Sequence, residues 1–582
     1  MLPEKPITRD EMYLNRIATG SGTIPEKPIT REEMYLEEIS QSGGGGGGGS
    51  VTIDSVPTEG SENAVASGGA YDAIEDVRSE LEDIKTALGF AKYGVTGIGQ
   101  EASALTRLYD AVGMVAEVGT DGDNSNVRND FDSAPPFMRR KCVGHWEVEN
   151  GRGKFVVAAY QGDANYAEDG SIGDYVAVEC PRCYYSFDKD AGTLVISTHK
   201  HEGYRAFDIF CREHNQDDTI EKFYAPAYFL GKKDGHAVSL PGLDDEQGQY
   251  KTLVDAAKTY DGTAVAYAMI NPAAWFFYEW ALFTVEFAVQ NCQSIMQGCC
   301  NLRSADSDSC TFVDSTHILT SNYYAACVVG EYVAITTATS HVNVNYKATH
   351  RIVSVVRCDE NGTANASGTH QLIEVEDLGK DYFTYDTSTT YYLAGRPYPT
   401  GYCNSVSTPS GSPVSNTDGY HPCKYRWVEN PWGNHYQTAH DLFNVREGTG
   451  DDDYYLEWYY CLKPWEYVPS ATSQPDKTAL TGSEFVKLGV STPHADYVNG
   501  YIKTNQYDSV YPDIWIPGAT KGASGSTYFG DYASLVHSHL VRSCRFCGFW
   551  HNGAIAGLSL INATYAPSNH TASWSAALFF AQ

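Results

Sequence analysis

Gly548-Phe549-Trp550-His551-Asn552-Gly553-Ala554-Ile555-Ala556-Gly557-Leu558, followed by Tyr565-Ala566-Pro567-Ser568, is the stretch from which the rest of the chain is best read. Gly548, Gly553 and Gly557 permit close backbone approach or positive φ, Trp550 is large enough to anchor a core, and Pro567 fixes a turn. Between these fixed points sit side chains of mixed chemistry: Phe549, His551, Asn552, Ile555, Ser559, Ile561, Asn562, Thr564, Tyr565, Asn569, His570 and Trp574. A Gly and Trp frame that packs inward sends this set outward on strand edges and loops. Exposed aromatics beside amides form a surface suited to binding. About two-thirds of the set is expected to be exposed, with Ile561 and Trp574 the first candidates for ordinary core.

The chain of 582 residues has length for several domains. Its 42 tyrosines suit recognition surfaces, and equally suit cross-strand pairs in a β-rich protein. A net charge of −32 repels phosphate backbones and anionic membranes, so neither nucleic acid nor membrane insertion is expected. No apolar run reaches membrane-spanning length, and residues 1–50 lack the apolar core of a signal peptide. The 15 cysteines are therefore expected to be reduced. Two CxxC pairs, Cys180/Cys183 and Cys544/Cys547, have zinc-ligand chemistry, but their wide separation favours buried thiols; no metal or other cofactor is expected. Asp121-Gly122-Asp123-Asn124-Ser125-Asn126 reads as an Asx-turn cluster, because it lacks the glycine and terminal glutamate of a calcium loop.

Residues 1–42 hold a duplicated peptide: Pro3 to Ile17 recurs as Pro25 to Ile39 with 12 of 15 positions identical. Thr8 and Thr30 are good N-caps, with Glu11 and Glu33 completing capping boxes. Each copy is too short to be a stable helix alone and would gain order by docking. The docking set is Ile7, Thr8, Arg9, Met12, Tyr13 and Leu14, repeated as Ile29, Thr30, Arg31, Met34, Tyr35 and Leu36. A glycine linker at 43–50, with a span of about 15 Å, uncouples these peptides from the body. Within 51–90, Ile74, Val77, Leu81, Ile84 and Leu88 repeat at 3, 4, 3, 4 spacing, a heptad seam. Leu81 at a and Ile84 at d favour three or four strands over two, so a short trimeric coiled coil ending at Gly89 is expected.

A connector spans 91–136, with a helix expected over Glu101 to Val118. Strand-like patterns follow at Trp146–Val148, Lys154–Tyr160 and Tyr175–Val178. Pro272 to Gly298 has the strongest helical pattern. Segment 310–403 is dense in Val, Ile, Tyr and Thr and reads as a β-rich insertion dividing the body into 137–309 and 404–582.

Three landmarks resemble the formylglycine-generating-enzyme-like branch of the C-type lectin fold. They are the Trp- and Glu-bearing segment Trp280 to Gln293, the motif Arg426-Trp427-Val428-Glu429-Asn430-Pro431-Trp432-Gly433-Asn434, and Arg545-Phe546-Cys547-Gly548-Phe549-Trp550 with the tail. The resemblance spans roughly residues 137–582 and extends to phage tail-tip tropism proteins, some of which are targets of diversity-generating retroelements. It implies an α+β fold, with the coiled coil in front of a large C-type-lectin-like domain. It implies a virion-borne, homotrimeric receptor-binding protein, made in the bacterial cytoplasm. The tail set would then meet a bacterial surface glycan or protein, and the duplicated peptides, which resemble those of baseplate-attached proteins, would dock on the phage tail or baseplate. Relatives carry glycine at the position of Cys547, and the enzyme branch's reactive cysteine pair is not matched residue for residue, so no catalytic activity is expected. The alternatives are a polysaccharide hydrolase of tailspike type, for which Asp451, Asp452, Asp453 and Glu457 supply carboxylates, or a structural collar or baseplate protein.

Overall fold

Runs of Val, Ile, Tyr, Phe and Thr pair into sheets through most of the chain. The computed structural model describes residues 90–119, 127–149, 152–234, 236–243, 272–302, 308–321, 327–336, 350–376, 390–450, 453–464, 476–494 and 499–567, and six two-residue strands outside these ranges. The chain divides into two units, 1–81 and 82–582. Within the first, Ile53–Asp54 pairs in parallel with Ala64–Val65. The duplicated peptides, the linker, the heptad positions Ile74, Val77, Leu81, Ile84 and Leu88, and the Asx cluster lie outside the described residues.

The expected α+β class with a coiled coil is not what the second unit shows. Strand content reaches 42%, and one α-helix is present among the described residues. The physical reason is that the β-branched and aromatic residues alternate or cluster in short runs bounded by glycine turns, and these pair with sequence-distant partners. Segment 101–118 illustrates it. The expected helix is absent; Thr106–Tyr109 is instead a strand paired with Tyr93–Thr96, and Gly113 at φ 83° turns the chain behind it.

One five-stranded sheet orders Arg205–Ala206, Tyr184–Asp188, Thr193–Ser197, Tyr93–Thr96 and Thr106–Tyr109. A second orders Phe580–Ala581, Lys222–Pro226, Tyr175–Pro181, Arg140–Glu149 and Arg152–Tyr160. It contains all three strands read from the sequence, and it binds the last residues of the chain to an early strand through Phe223 opposite Ala581. Segment 308–396 closes into a six-stranded barrel with its own core of Phe312, Ile318, Val333, Ile352, Ile373 and Leu393. The largest sheet runs Phe485–Pro493, Tyr455–Cys461, Tyr436–Glu447, Arg542–Cys547, Gly557–Tyr565, Tyr532–Leu535, Gly500–Tyr501, with Trp574–Ser575 beside Tyr436–Glu447.

The helix, Pro272–Phe287, is buried on every side. It stops earlier than the sequence pattern suggested because Ala288 turns into the left-handed region at φ 52°. Phe276 stacks on Phe546 of the large sheet at 4.5 Å, and Trp280 meets Trp515 at 4.8 Å. Two glutamates on this otherwise apolar helix are each met by an arginine. Glu279 accepts from Arg139 at 2.6 Å, and Glu286 from Arg426 at 2.7 and 2.9 Å. No helix among the described residues is long and apolar enough to cross a membrane.

Candidate functional site

The motif from Arg426 to Asn434 folds as a knot of left-handed turns. Arg426, Trp427, Asn430, Gly433 and Asn434 all have φ between 47° and 73°. Such backbone persists only where the surroundings hold it. Here Arg426 grips Glu286 of the helix, and the Glu429 carboxylate accepts the backbone N–H groups of Gly401 and Cys403, both at 2.8 Å. The Asn434 side chain pairs with Tyr398 through both main-chain atoms, at 2.8 and 3.0 Å. Gly433 N–H donates to the Cys547 carbonyl at 3.1 Å, and Trp550 N–H to the Asn434 carbonyl at 3.3 Å. The motif thus joins the helix, the barrel exit and the tail.

Gly433 is required twice over, by its φ of 73° and because a Cβ would stand 2.4 Å from the Cys299 carbonyl oxygen. Gly433→Ala is expected to lose about 2–3 kcal/mol, read as a lower denaturant midpoint. An unchanged midpoint would show that the motif is not a keystone.

The tail frame packs inward as its residue types require. Trp550 is fully buried against Cys299, Leu302 and Tyr398. Gly548 is at φ 79° with Ala556 and Asn552 against it, and a Cβ on Gly557 would collide with the Asp531 carboxylate. Cys547 adopts φ 72°, a conformation glycine reaches without strain.

The side chains between divide in three. His551 and Tyr565 are exposed; Phe549, Asn552, Ile555 and Thr564 are half-buried; Ser559, Ile561 and Asn562 are buried. Asn569 and His570 lie outside the described residues, as does the side chain of Trp574, whose backbone pairs with Tyr436. Of the nine described positions, two are exposed and four half-buried, so six reach the surface to some degree. Strand Gly557–Tyr565 lies between Arg542–Cys547 and Tyr532–Leu535, and it is covered on both faces from Gly557 to Ala563. Alternation along it therefore does not separate core from surface.

What remains accessible is a ledge. Phe549, Ile555 and Tyr532 pack half-exposed around buried Tyr436 and Leu560, with Phe549 stacked on Tyr436 at 5.2 Å. Tyr501 meets Tyr532 edge-on at 5.4 Å. His551 is oriented by a 2.7 Å contact from Nδ1 to the Leu302 carbonyl, and the Asn552 amide oxygen accepts Phe549 N–H at 2.8 Å. Beneath Tyr565, buried Arg545 lies 4.0 Å from its ring and 4.8 Å from that of Tyr436, and donates to Asn562 at 2.7 Å. Burial lowers the Arg545 guanidinium to about 10. Asn562 also donates to the Tyr436 hydroxyl at 3.2 Å, so its role is to hold the ledge from below.

Sequence reading missed Tyr436, Tyr501 and Tyr532, and named Arg545 only as part of a motif. Tyr436 follows the motif by two residues and was within reach. Tyr501 and Tyr532 come to the ledge only through sheet pairing, Tyr501 opposite Tyr532.

Fourteen of the fifteen cysteines are buried, Cys211 being the exception. Burial pushes the thiols of Cys544 and Cys547 well up, which disfavours the reactive thiolate. No group of three or more His, Cys, Asp or Glu among the described residues is placed to hold a metal. Glu457 is ion-paired with Lys477 at 2.6 Å and with Lys487; against its burial, these lysines hold it down to about 2. No protein-family model and no curated protein matches the chain.

Proposed function

We propose that this is a receptor-binding protein of a phage tail, adhering to a bacterial surface glycan or protein through the ledge around Phe549. One observation carries the reading: half-exposed Phe549, Ile555 and Tyr532, flanked by exposed His551 and Tyr565, stand on a frame of buried Trp550, Tyr436 and tight glycines. Rigid aromatic groups bind with little loss of conformational freedom, and neighbouring polar groups supply direction. The likeness of the tail and of the Arg426–Asn434 motif to tropism proteins supports it. A homotrimeric state and attachment of the duplicated peptides to the virion belong to the same proposal, since several copies on one particle turn weak contacts into firm adhesion. Glu457, held ionised by two lysines, is poorly suited to the proton-donating role a hydrolase needs.

The test uses full-length protein and cells of a susceptible bacterium. The triple change His551→Ala, Ile555→Asp and Tyr565→Ala is expected to weaken cell binding at least about tenfold, with the unfolding midpoint preserved. Undiminished binding overturns the ledge as the contact surface. Release of oligosaccharide from the cells would favour a hydrolase.

A further inference from the structure

Lys141, Glu168, Tyr228 and Asn404 form a cluster on the second five-stranded sheet that the binding proposal does not use. Lys141 projects from strand Arg140–Glu149 and is buried, as is Tyr228. Its Nζ donates to Asn404 Oδ1 at 3.1 Å and to the Tyr228 hydroxyl at 2.7 Å, and lies 2.8 and 3.0 Å from the two Glu168 oxygens. The Asn404 amide nitrogen donates to Glu168 Oε2 at 3.0 Å, and the Tyr228 hydroxyl stands 2.6 Å from Asn404 Oδ1. Tyr166 donates to Glu168 Oε1 at 2.5 Å. An amine thus sits against a carboxamide carbonyl, a carboxylate touches both the amine and the amide nitrogen, and a hydroxyl touches the carbonyl oxygen.

We propose that these groups react with one another: Lys141 and Asn404 become joined by an amide bond that the folded chain forms unaided, with Glu168 carrying the protons. Glu168 takes a proton from the Lys141 ammonium, and the neutral Nζ attacks Cγ of Asn404. The Tyr228 hydroxyl, which also lies 2.5 Å from Glu168 Oε2, turns its one proton to the oxygen that becomes negative. Glu168 delivers its first proton to Nδ2 and takes a second from the attacking nitrogen; the Cγ–Nδ2 bond breaks, and the leaving ammonia carries that second proton away as ammonium, which returns Glu168 to its carboxylate. The sum is ammonium plus carboxamide giving secondary amide plus ammonium ion, so no oxidant, metal or co-reactant is needed. The protein loses one ammonia in mass and the positive charge of Lys141.

Positioning supplies the drive. Lys141 is fixed by pairing with Val178, and Asn404 by a turn, Tyr402–Ser405, whose preceding Gly401 N–H and whose Cys403 N–H are both held by Glu429. Two reactants anchored independently act as if at very high concentration. Burial works to raise the Glu168 carboxyl, but Lys141 and the tyrosine hydroxyls outweigh it and hold Glu168 below the usual carboxylate range. Glu168 is therefore ionised at rest, and bond formation is slow. Asn404 itself reaches solvent, which gives ammonia an exit. The bond would tie the sheet to the turn leaving the barrel, across 263 residues of chain. A link of that kind resists pulling, whatever the protein binds.

Mass spectrometry of the denatured full-length protein decides the matter. The expected mass is that of the sequence less one ammonia, and protease digestion should yield one branched peptide joining Lys141 to Asn404. Lys141→Arg, Asn404→Ala and Glu168→Gln should each restore the full mass and give linear peptides. A wild-type protein of full mass with linear peptides overturns the bond, and this outcome needs no variant to fold. A branched peptide persisting in Glu168→Gln overturns the role of Glu168.

Discussion

Glu286→Gln is expected to destabilise the folded chain by about 3–5 kcal/mol, the range for breaking a buried ion pair from one side. The carboxylate receives four donors: Arg426 Nε at 2.9 Å and Nη2 at 2.7 Å, the Tyr425 hydroxyl at 2.9 Å, and the Asn129 amide at 2.7 Å. An amide of the same shape brings two further N–H groups into a site that holds only donors, and it leaves the buried Arg426 charge with Asp132 alone at 2.6 Å. The loss should appear as a lower denaturant midpoint. A double variant, Glu286→Leu with Arg426→Met, should lose clearly less than the sum of the single changes, because no charge is then stranded. Strict additivity would show that the pair is not coupled.

Asp441→Asn is expected to stabilise the protein at neutral pH and to flatten its pH dependence. Asp441 is fully buried and accepts Ala273 N–H at 3.0 Å, filling the capping role at the start of the helix. Burial pushes its carboxyl from the ordinary 3.8 up to about 7, outweighing the pull of that N–H and of His214. The folded state therefore binds a proton that the unfolded state has already released. Stability from this group is complete below about pH 4 and is lost as pH rises to about 7, by roughly 4 kcal/mol at ~1.4 kcal/mol per pH unit. Asparagine keeps the acceptor and does not ionise. The urea midpoints of variant and wild type should differ most near pH 8 and converge near about pH 4. A residual slope of the same sign will remain from Asp513, which burial raises to about 6. Parallel curves for variant and wild type would refute the assignment.

The tail frame was legible because it rests on residue type alone. A glycine at φ 79° and a tryptophan at full burial are constraints that act within a few residues, and Gly548 and Trp550 meet them. Pro272 opening the helix was legible for the same reason. The outward-facing set was only partly so. His551 and Tyr565 are where the reading put them and Ile561 is core, as it was among the first candidates to be, whereas Ser559 and Asn562 lie in the same strand, walled in by neighbours from positions 532–535 and 542–547. Whether a strand has one covered face or two is a property of the sheet around it, and no local pattern records that.

The sequence by itself determined the strands at Trp146–Val148, Lys154–Tyr160 and Tyr175–Val178, that Pro272 onward is helical, and which glycines and tryptophans frame the tail, since these follow from side-chain shape and backbone freedom at single positions. Tertiary structure alone decided that strands dominate the described fold, that 308–396 closes into a barrel, and that Glu286 meets Arg426 across 140 residues. The same holds for Lys141, Glu168 and Asn404, which converge from separate elements. Long-range pairing is selected by the joint burial of many residues, and that quantity is defined only once the chain has folded.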